Sequence, residues 1–314
     1  MRGSLSRRFS RLLAIASLGA LAGCEDCKGG STPADAAATP TDPALIPMDA
    51  SMKMPEGGTL NATPLPTASV EAMLNPEKLP VYSGPTGSVE GNITVVGDPA
   101  PVTPGDFSRC PDAEKTWGHA FREGPPGPNG ARPLADALVV VTGYRGFHLG
   151  ETRDAVETRI EGCAYTTRTL TLTFGQRLDV KNLSKEFWTP VLEPQRSVVV
   201  MMAPPNGDAV RIYPKTPGHH LLTDRDRHYA VVDVYAFLHP LHTSSSLTGY
   251  YRIDNLPIGK VRVSSTHPQI GTNAEADLVV AAGVVHKVDL VIKNVNKDAG
   301  APAAGDAGRA PSLH

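Results

Sequence analysis

The sequence predicts an all-β protein of sandwich-like architecture. Three observations lead there. Side-chain character alternates with a period of two, not 3.6, over many short runs. Glycine and proline, 30 and 29 of the 314 residues, separate those runs at short intervals. No segment carries amphipathic helical spacing through three turns. Aromatic residues make up only 5% of the chain, a composition that suits strands, turns and linkers better than a helix-rich enzyme. The formal net charge of −2 supplies no basic field for a phosphate backbone, so no nucleic-acid partner is expected.

The elements follow in chain order. Arg2, Arg7, Arg8 and Arg11 precede an apolar run of 11 residues from Leu12 to Ala22, too short for a bilayer core that needs about 20. Residues 1–23 therefore read as a signal peptide. The pair Arg7-Arg8 fits a twin-arginine signal poorly. Leu21-Ala22-Gly23-Cys24 resembles a bacterial lipobox. That resemblance implies a lipid on Cys24, which would become the first mature residue, and a membrane reached through this N-terminal anchor. Glu25 is not the aspartate that retains lipoproteins in the inner membrane of some bacteria, so an outer-membrane location in the cell envelope is expected. Loss of the four arginines would leave a net charge of −6, so the acyl chains and not basic residues would do the anchoring.

Residues 24–86 hold ten prolines and one aromatic, Tyr82. They read as a disordered Pro/Ala/Thr-rich tether, with Val70 to Leu74 as a helical turn at most. Cys27 stands three residues after Cys24, and the lipid claim on Cys24 leaves it a lone thiol. The body spans 87–293, and 294–314 reads as a disordered tail. Within the body, Val89 to Val95, Thr167 to Phe174, Arg177 to Lys181, Val261 to Val263 and Lys287 to Ile292 alternate. Ala137 to Val141 and Val198 to Met202 are continuously apolar, as strands buried on both faces are. Residues 97–133 interrupt the rhythm and read as an insertion loop. Export implies an oxidising compartment. Cys110 and Cys163 are the two cysteines of the body, and a disulfide between them is expected.

Two stretches resemble known families. Gly249-Tyr250-Tyr251-Arg252-Ile253-Asp254-Asn255-Leu256-Pro257-Ile258-Gly259-Lys260-Val261-Arg262-Val263, with Val279 to Gly283 and Val288 to Leu290 after it, resembles the core of carboxypeptidase regulatory-like domains. The resemblance implies a small, non-catalytic prealbumin-like sandwich over 241–293. Glu161-Gly162-Cys163-Ala164-Tyr165 and Phe174-Gly175-Gln176-Arg177-Leu178-Asp179-Val180-Lys181-Asn182 resemble a segment of plastocyanin-like (cupredoxin) domains, which implies a cupredoxin-like sandwich over 87–240.

The chemistry of that second family is missing from the sequence. A type-1 copper site needs a thiolate and two imidazoles. Asn182 is followed by Leu-Ser-Lys-Glu-Phe187-Trp188 with no histidine, and Leu222 to Tyr229, where a Cys-x-x-His should fall, has no cysteine. No catalytic residue, cofactor or metal ligand is therefore expected. Histidines 219, 220, 228, 239 and 242 could gather around a metal, but neighbouring strand residues face opposite ways. Asp224 and Asp226 share a strand face, yet Arg225 and Arg227 alternate with them, as on a solvated charged edge. Met201-Met202 reads as core. No Gly-x-Ser-x-Gly, His-Glu-x-x-His or phosphate-cradling loop occurs. The expected function is that of a non-enzymatic envelope lipoprotein with a structural or binding role, its partner an envelope protein or a carbohydrate, with Trp117, Trp188, Tyr250 and Tyr251 as candidates for stacking on sugars. An exported copper or electron-transfer cupredoxin is the alternative.

Overall fold

The computed structural model describes residues 63–148, 155–195, 200–227 and 229–295. The expectations placed on residues 1–23, Cys24, Cys27, His228 and the tail from 296 lie outside the described residues. In chain order the structure forms α1 (Thr67–Leu74), β1 (Thr86–Gly97), α2 (Pro111–Trp117), β2 (Arg132–Pro133) and β3 (Leu138–Thr142). Next come β4 (Ala155–Glu161), β5 (Ala164–Tyr165), β6 (Thr169–Thr173), β7 (Arg177–Asn182), β8 (Pro190–Glu193), β9 (Val210–Ile212), β10 (Gly218–Asp224) and β11 (Val232–Phe237). The last are β12 (His242–Ser244), β13 (Tyr250–Pro257), β14 (Gly259–His267), β15 (Ile270–Val280), β16 (Val285–Lys287) and β17 (Leu290–Asn294). The all-β expectation holds, and the two helices are short.

Strands at both ends of the chain build one sandwich. Along β1 the residues Val89, Ile93 and Val95 turn inward while their neighbours face out, the alternation expected of a half-buried strand. This strand is the spine of its sheet. It pairs antiparallel with β13 (Val89↔Ile253) and β2, and parallel with β16 and β17 (Ile93↔Leu290). Gly91 is required there, because a Cβ at that position would run into the Val288 carbonyl. The facing sheet has the order β12-β3-β14-β15, and Val139, Val141, Val261 and Val263 close the core against Val89, Ile93 and Ile253.

Strands β4 to β11 form a second sandwich, with sheets β6-β11-β10-β8 and β5-β4-β7-β9. Ile160, Leu172, Leu178, Val180, Leu222, Val232 and Val234 fill its core. This sandwich sits inside the first. Strands β3 and β12 are antiparallel partners (His242↔Val140), and the whole of β4–β11 lies in the connection between them. The expected boundary at residue 240 is therefore corrected. Strands β1 and β3 belong with 241–293 and not with the sandwich of 155–237. The sequence hides this because a period-two run does not say which sheet will receive it, and an inserted domain needs only ends that lie close together.

Three local expectations also change. Residues 97–133 form more than a loop. Helix α2 sends Ala113 and Trp117 into the core of the inserted sandwich, while Phe121 enters the core of the host. Arg168 fastens the segment by donating to the carbonyls of Thr116, His119 and Ala120 at 2.6–3.0 Å. The described end of the 24–86 tether is ordered against the body. Helix α1 brings Val70 over Gly175, the Lys215 ammonium donates to the Thr63 carbonyl, and Tyr82 bonds Phe147 through its backbone N–H. In the run expected to be buried on both faces at 198–202, Val200 and Met202 are each 57% exposed, and only Met201 packs on the core.

Candidate functional site

The end of the inserted sandwich near Asn182 and the β10–β11 connection is where the cupredoxin resemblance would put metal ligands. Asn182, the last residue of β7, turns inward. Its amide donates to the carbonyls of Glu186 and Ala203, and its oxygen accepts from the Ser184 N–H and hydroxyl. This folds residues 183–187 into a tight loop that delivers Trp188 to the core. Trp188 is fully buried, its indole N–H donates to Ser184 Oγ at 3.1 Å, and its ring meets the edge of Tyr165 at 5.4 Å between centroids.

Asp224 closes the same end from β10. Its carboxylate is buried (1% exposed) and accepts from the Thr189 N–H at 2.6 Å, the Asp226 N–H at 3.0 Å and Arg227 Nη1 at 3.4 Å. The Arg227 guanidinium lies 4.5 Å from the centre of the Trp188 ring, a cation–π contact, and also donates to the Phe187 carbonyl. Burial pushes the Tyr165 phenol well up, with the Asp224 charge adding to it. The expectation of a solvated charged edge is thus corrected at Asp224 and kept at Asp226, which is exposed. The two carboxylates do not converge. Trp188 occupies the interior, Asp224 spends its lone pairs on three donors, and Arg227 is a cation. This donor set does not fit a type-1 copper ion, which calls for a thiolate and imidazoles.

The expected disulfide is present. Cys110 and Cys163 are bonded, with Cα atoms 5.6 Å apart, so the start of α2 is tied to the β4–β5 turn. The bridge stands at the same end of the inserted sandwich as Asn182, since Ile160 of β4 lies opposite Asn182 and the Cys163 carbonyl accepts from the Tyr229 hydroxyl in the β10–β11 connection, but both sulfurs are held in the disulfide. The histidines separate. His219 Nε2 lies 2.7 Å from Asp233 Oδ1, and His220 is buried with Nε2 2.9 Å from the Thr216 carbonyl. His239 and His242 alone come together, with ring centroids 6.3 Å apart. Among the described residues no group of three or more His, Cys, Asp or Glu could hold a metal.

Of the aromatic residues expected to stack on sugars, Trp117, Trp188 and Tyr251 are core, and Tyr250 is 42% exposed. A row of rings that the sequence reading overlooked runs along the outer face of β11: His219, Tyr235, Phe237 and His242, each near-parallel to the next. The signal for it was the spacing Tyr235-x-Phe237 on one strand face. The His219–Tyr235 and Phe237–His242 pairs stack closely, at 4.5 and 4.7 Å, while Tyr235 and Phe237 are 6.2 Å apart.

No protein-family model and no curated protein matches this chain. Among solved structures it is similar to amicyanin from Paracoccus versutus, at 17% identity and a TM-score of 0.25, over 27% of this chain and 82% of that one. It is also similar to a chain of a heme-copper terminal oxidase dimer, at 14% identity and a TM-score of 0.22, over 26% of this chain and 64% of that one.

Proposed function

We propose that this protein is a non-enzymatic binding or structural module of the bacterial cell envelope, anchored by a lipid on Cys24, in which a cupredoxin-like sandwich has been retained as a scaffold without type-1 copper. The observation that carries the reading is the closed end built from Asn182, Trp188, Asp224 and Arg227. The space a redox metal and its ligands would need is filled by a tryptophan, a satisfied carboxylate and a guanidinium. A sandwich core is set by its apolar pattern, not by its ligands, so the fold can outlive the site. The disulfide supports an exported location, since such bonds persist in oxidising compartments. With three of the four candidate stacking residues in the core, an envelope protein is favoured over a carbohydrate as the partner.

Two measurements test this. Mass spectrometry of the mature N-terminus should find a lipidated Cys24, and any other N-terminus removes the anchor from the reading. The purified protein incubated with Cu(II) should develop no intense thiolate-to-copper absorption band in the visible. If a band appears and vanishes on replacing a cysteine, the electron-carrier alternative replaces the scaffold.

A further inference from the structure

The chain enters the inserted sandwich past Tyr144 and leaves it past His239, reaching the host sandwich again at His242. Two imidazoles therefore stand at the crossing point. His242 stacks on Phe237 at 4.7 Å, and His239 meets the Tyr144 ring edge-on at 6.2 Å. Nε2 of His242 lies 3.2 Å from Thr173 Oγ1, on a strand of the inserted sandwich. Nδ1 of both rings is buried, and neither has a hydrogen-bond partner. A buried polar nitrogen left unmade costs roughly 1–3 kcal/mol, so two of them side by side call for an explanation.

Burial holds both rings neutral. It pushes the His242 pKa down to about 3, with neighbouring His239 adding to the effect, and lowers that of His239 as well. A neutral imidazole whose Nε2–H donates to the Thr173 hydroxyl keeps the Nδ1 lone pair free. An orienting hydrogen bond on the far nitrogen is the usual support of a metal-binding histidine. The separation is informative too. An imidazole nitrogen lies about 1.1 Å from its ring centre and binds a first-row metal at about 2.0 Å, so a linear bridge puts the ring centres about 6.2 Å apart and a tetrahedral one about 5 Å apart. The observed ring-centre distance is 6.3 Å, which accommodates a linear bridge once both Nδ1 atoms face a common point.

We propose that His239 and His242 bind one monovalent d10 metal ion, Cu(I) or its chemical surrogate Ag(I), in linear two-coordination between the two sandwiches. A divalent ion would bring a second charge into a site of two neutral ligands and aromatic rings, and Zn(II) would ask for four ligands, whereas no group of three or more His, Cys, Asp or Glu gathers among the described residues. A cavity of about 280 Å³ is lined by His239 and Tyr144 together with Glu77 and His148, and does not include His242. The site contains no thiolate, so it is colourless and distinct from the site the cupredoxin resemblance would imply. Its occupancy is independent of the scaffold reading, whose marker is the absence of a visible thiolate-to-copper band.

The test uses the exported full chain carrying Cys24→Ser and Cys27→Ser, which removes competing thiols and leaves the disulfide. Ag(I), and Cu(I) under anaerobic conditions, are titrated against a competing chelator while the histidine ring signals are followed by NMR. One equivalent should bind, with the His239 and His242 signals shifting and that of His219 unmoved. His239→Gln and His242→Gln should each weaken binding at least tenfold, and His219→Gln should leave it unchanged. Circular dichroism establishes that each variant is folded, and the ring signals of the parent chain report on the site even where a variant is not. Absence of one-to-one binding, binding undiminished in both variants, or tighter binding of Zn(II) than of Cu(I) at this pair would each overturn the proposal.

Discussion

Replacing Asp224 with alanine puts the closed end of the inserted sandwich under direct test. The carboxylate is buried and accepts from two backbone N–H groups and the Arg227 guanidinium. Its removal leaves the Thr189 N–H without an acceptor at 2.6 Å and Arg227 without its counter-charge. A hydrogen bond to a charged group contributes about 1.5–3 kcal/mol, and breaking a buried pair from one side costs about 3–5 kcal/mol. Arg227 is partly exposed and can recover some solvation, which puts Asp224→Ala at about 3–4 kcal/mol. Asp224→Asn keeps the shape, but one donor must face another, either at Thr189 or at Asp226 and Arg227, for about 1–3 kcal/mol. Urea unfolding followed by tryptophan fluorescence measures both, with the midpoint falling and the slope unchanged. Trp188 is one of only two tryptophans, so its red shift would show the end opening locally. An Asp224→Ala loss under about 1 kcal/mol would refute the reasoning and return Asp224 to the status of a surface charge.

Three further outcomes are expected. Cys110→Ser with Cys163→Ser should cost about 2–4 kcal/mol by releasing a loop of 53 residues in the unfolded chain, and peptide mapping without reductant should recover the bonded pair from the parent. Burial holds His267 near a pKa of about 4 against an ordinary 6.5, with Asp136 opposing the shift and Arg168 and Arg122 reinforcing it. Because the folded state resists this proton, stability is full above pH 6.5 and is lost as the pH falls toward 4, by on the order of 3 kcal/mol. A His267→Gln variant should reduce that slope in urea titrations taken across the interval, with the buried His242 and His239 supplying the remainder, and an unchanged slope would show that His267 contributes nothing to it. Arg168→Met should free the 97–133 segment from three carbonyl contacts, and limited proteolysis should then cut within it faster than in the parent.

What the sequence shows and what it conceals divide along physical lines. Alternation is local, so the runs at Val89 to Val95, Thr167 to Phe174 and Val261 to Val263 announce strands without help from the rest of the chain. The disulfide is legible because the body offers a single pair. Partner choice is not local. Nothing in Val89-Glu90-Gly91 says that it will lie between Ile253 and His286, some 160 and 200 residues away, and so the nesting of one sandwich in the other stays hidden. Asp224 and Trp188 illustrate the same limit. Asp224 reads as a charged edge beside Arg225 and Arg227, and only the loop drawn in by Asn182 turns its carboxylate inward. Continuous apolar character misleads at Val200 and Met202, which face solvent.

The nesting also decides how the molecule would carry tension. A pull applied between residue 86 and residue 294 enters at the two ends of the host sandwich. There β1 and β17 run side by side in parallel register from Ile93↔Leu290 to Gly97↔Asn294. Strands loaded in this way must break their ladder bonds together, in shear, and not one at a time. The inserted sandwich hangs from β3 and β12, off the line of force, and bears none of it until the host yields. A body pulled through these two ends would thus take mechanical strain first in the host sandwich and shield the inserted one.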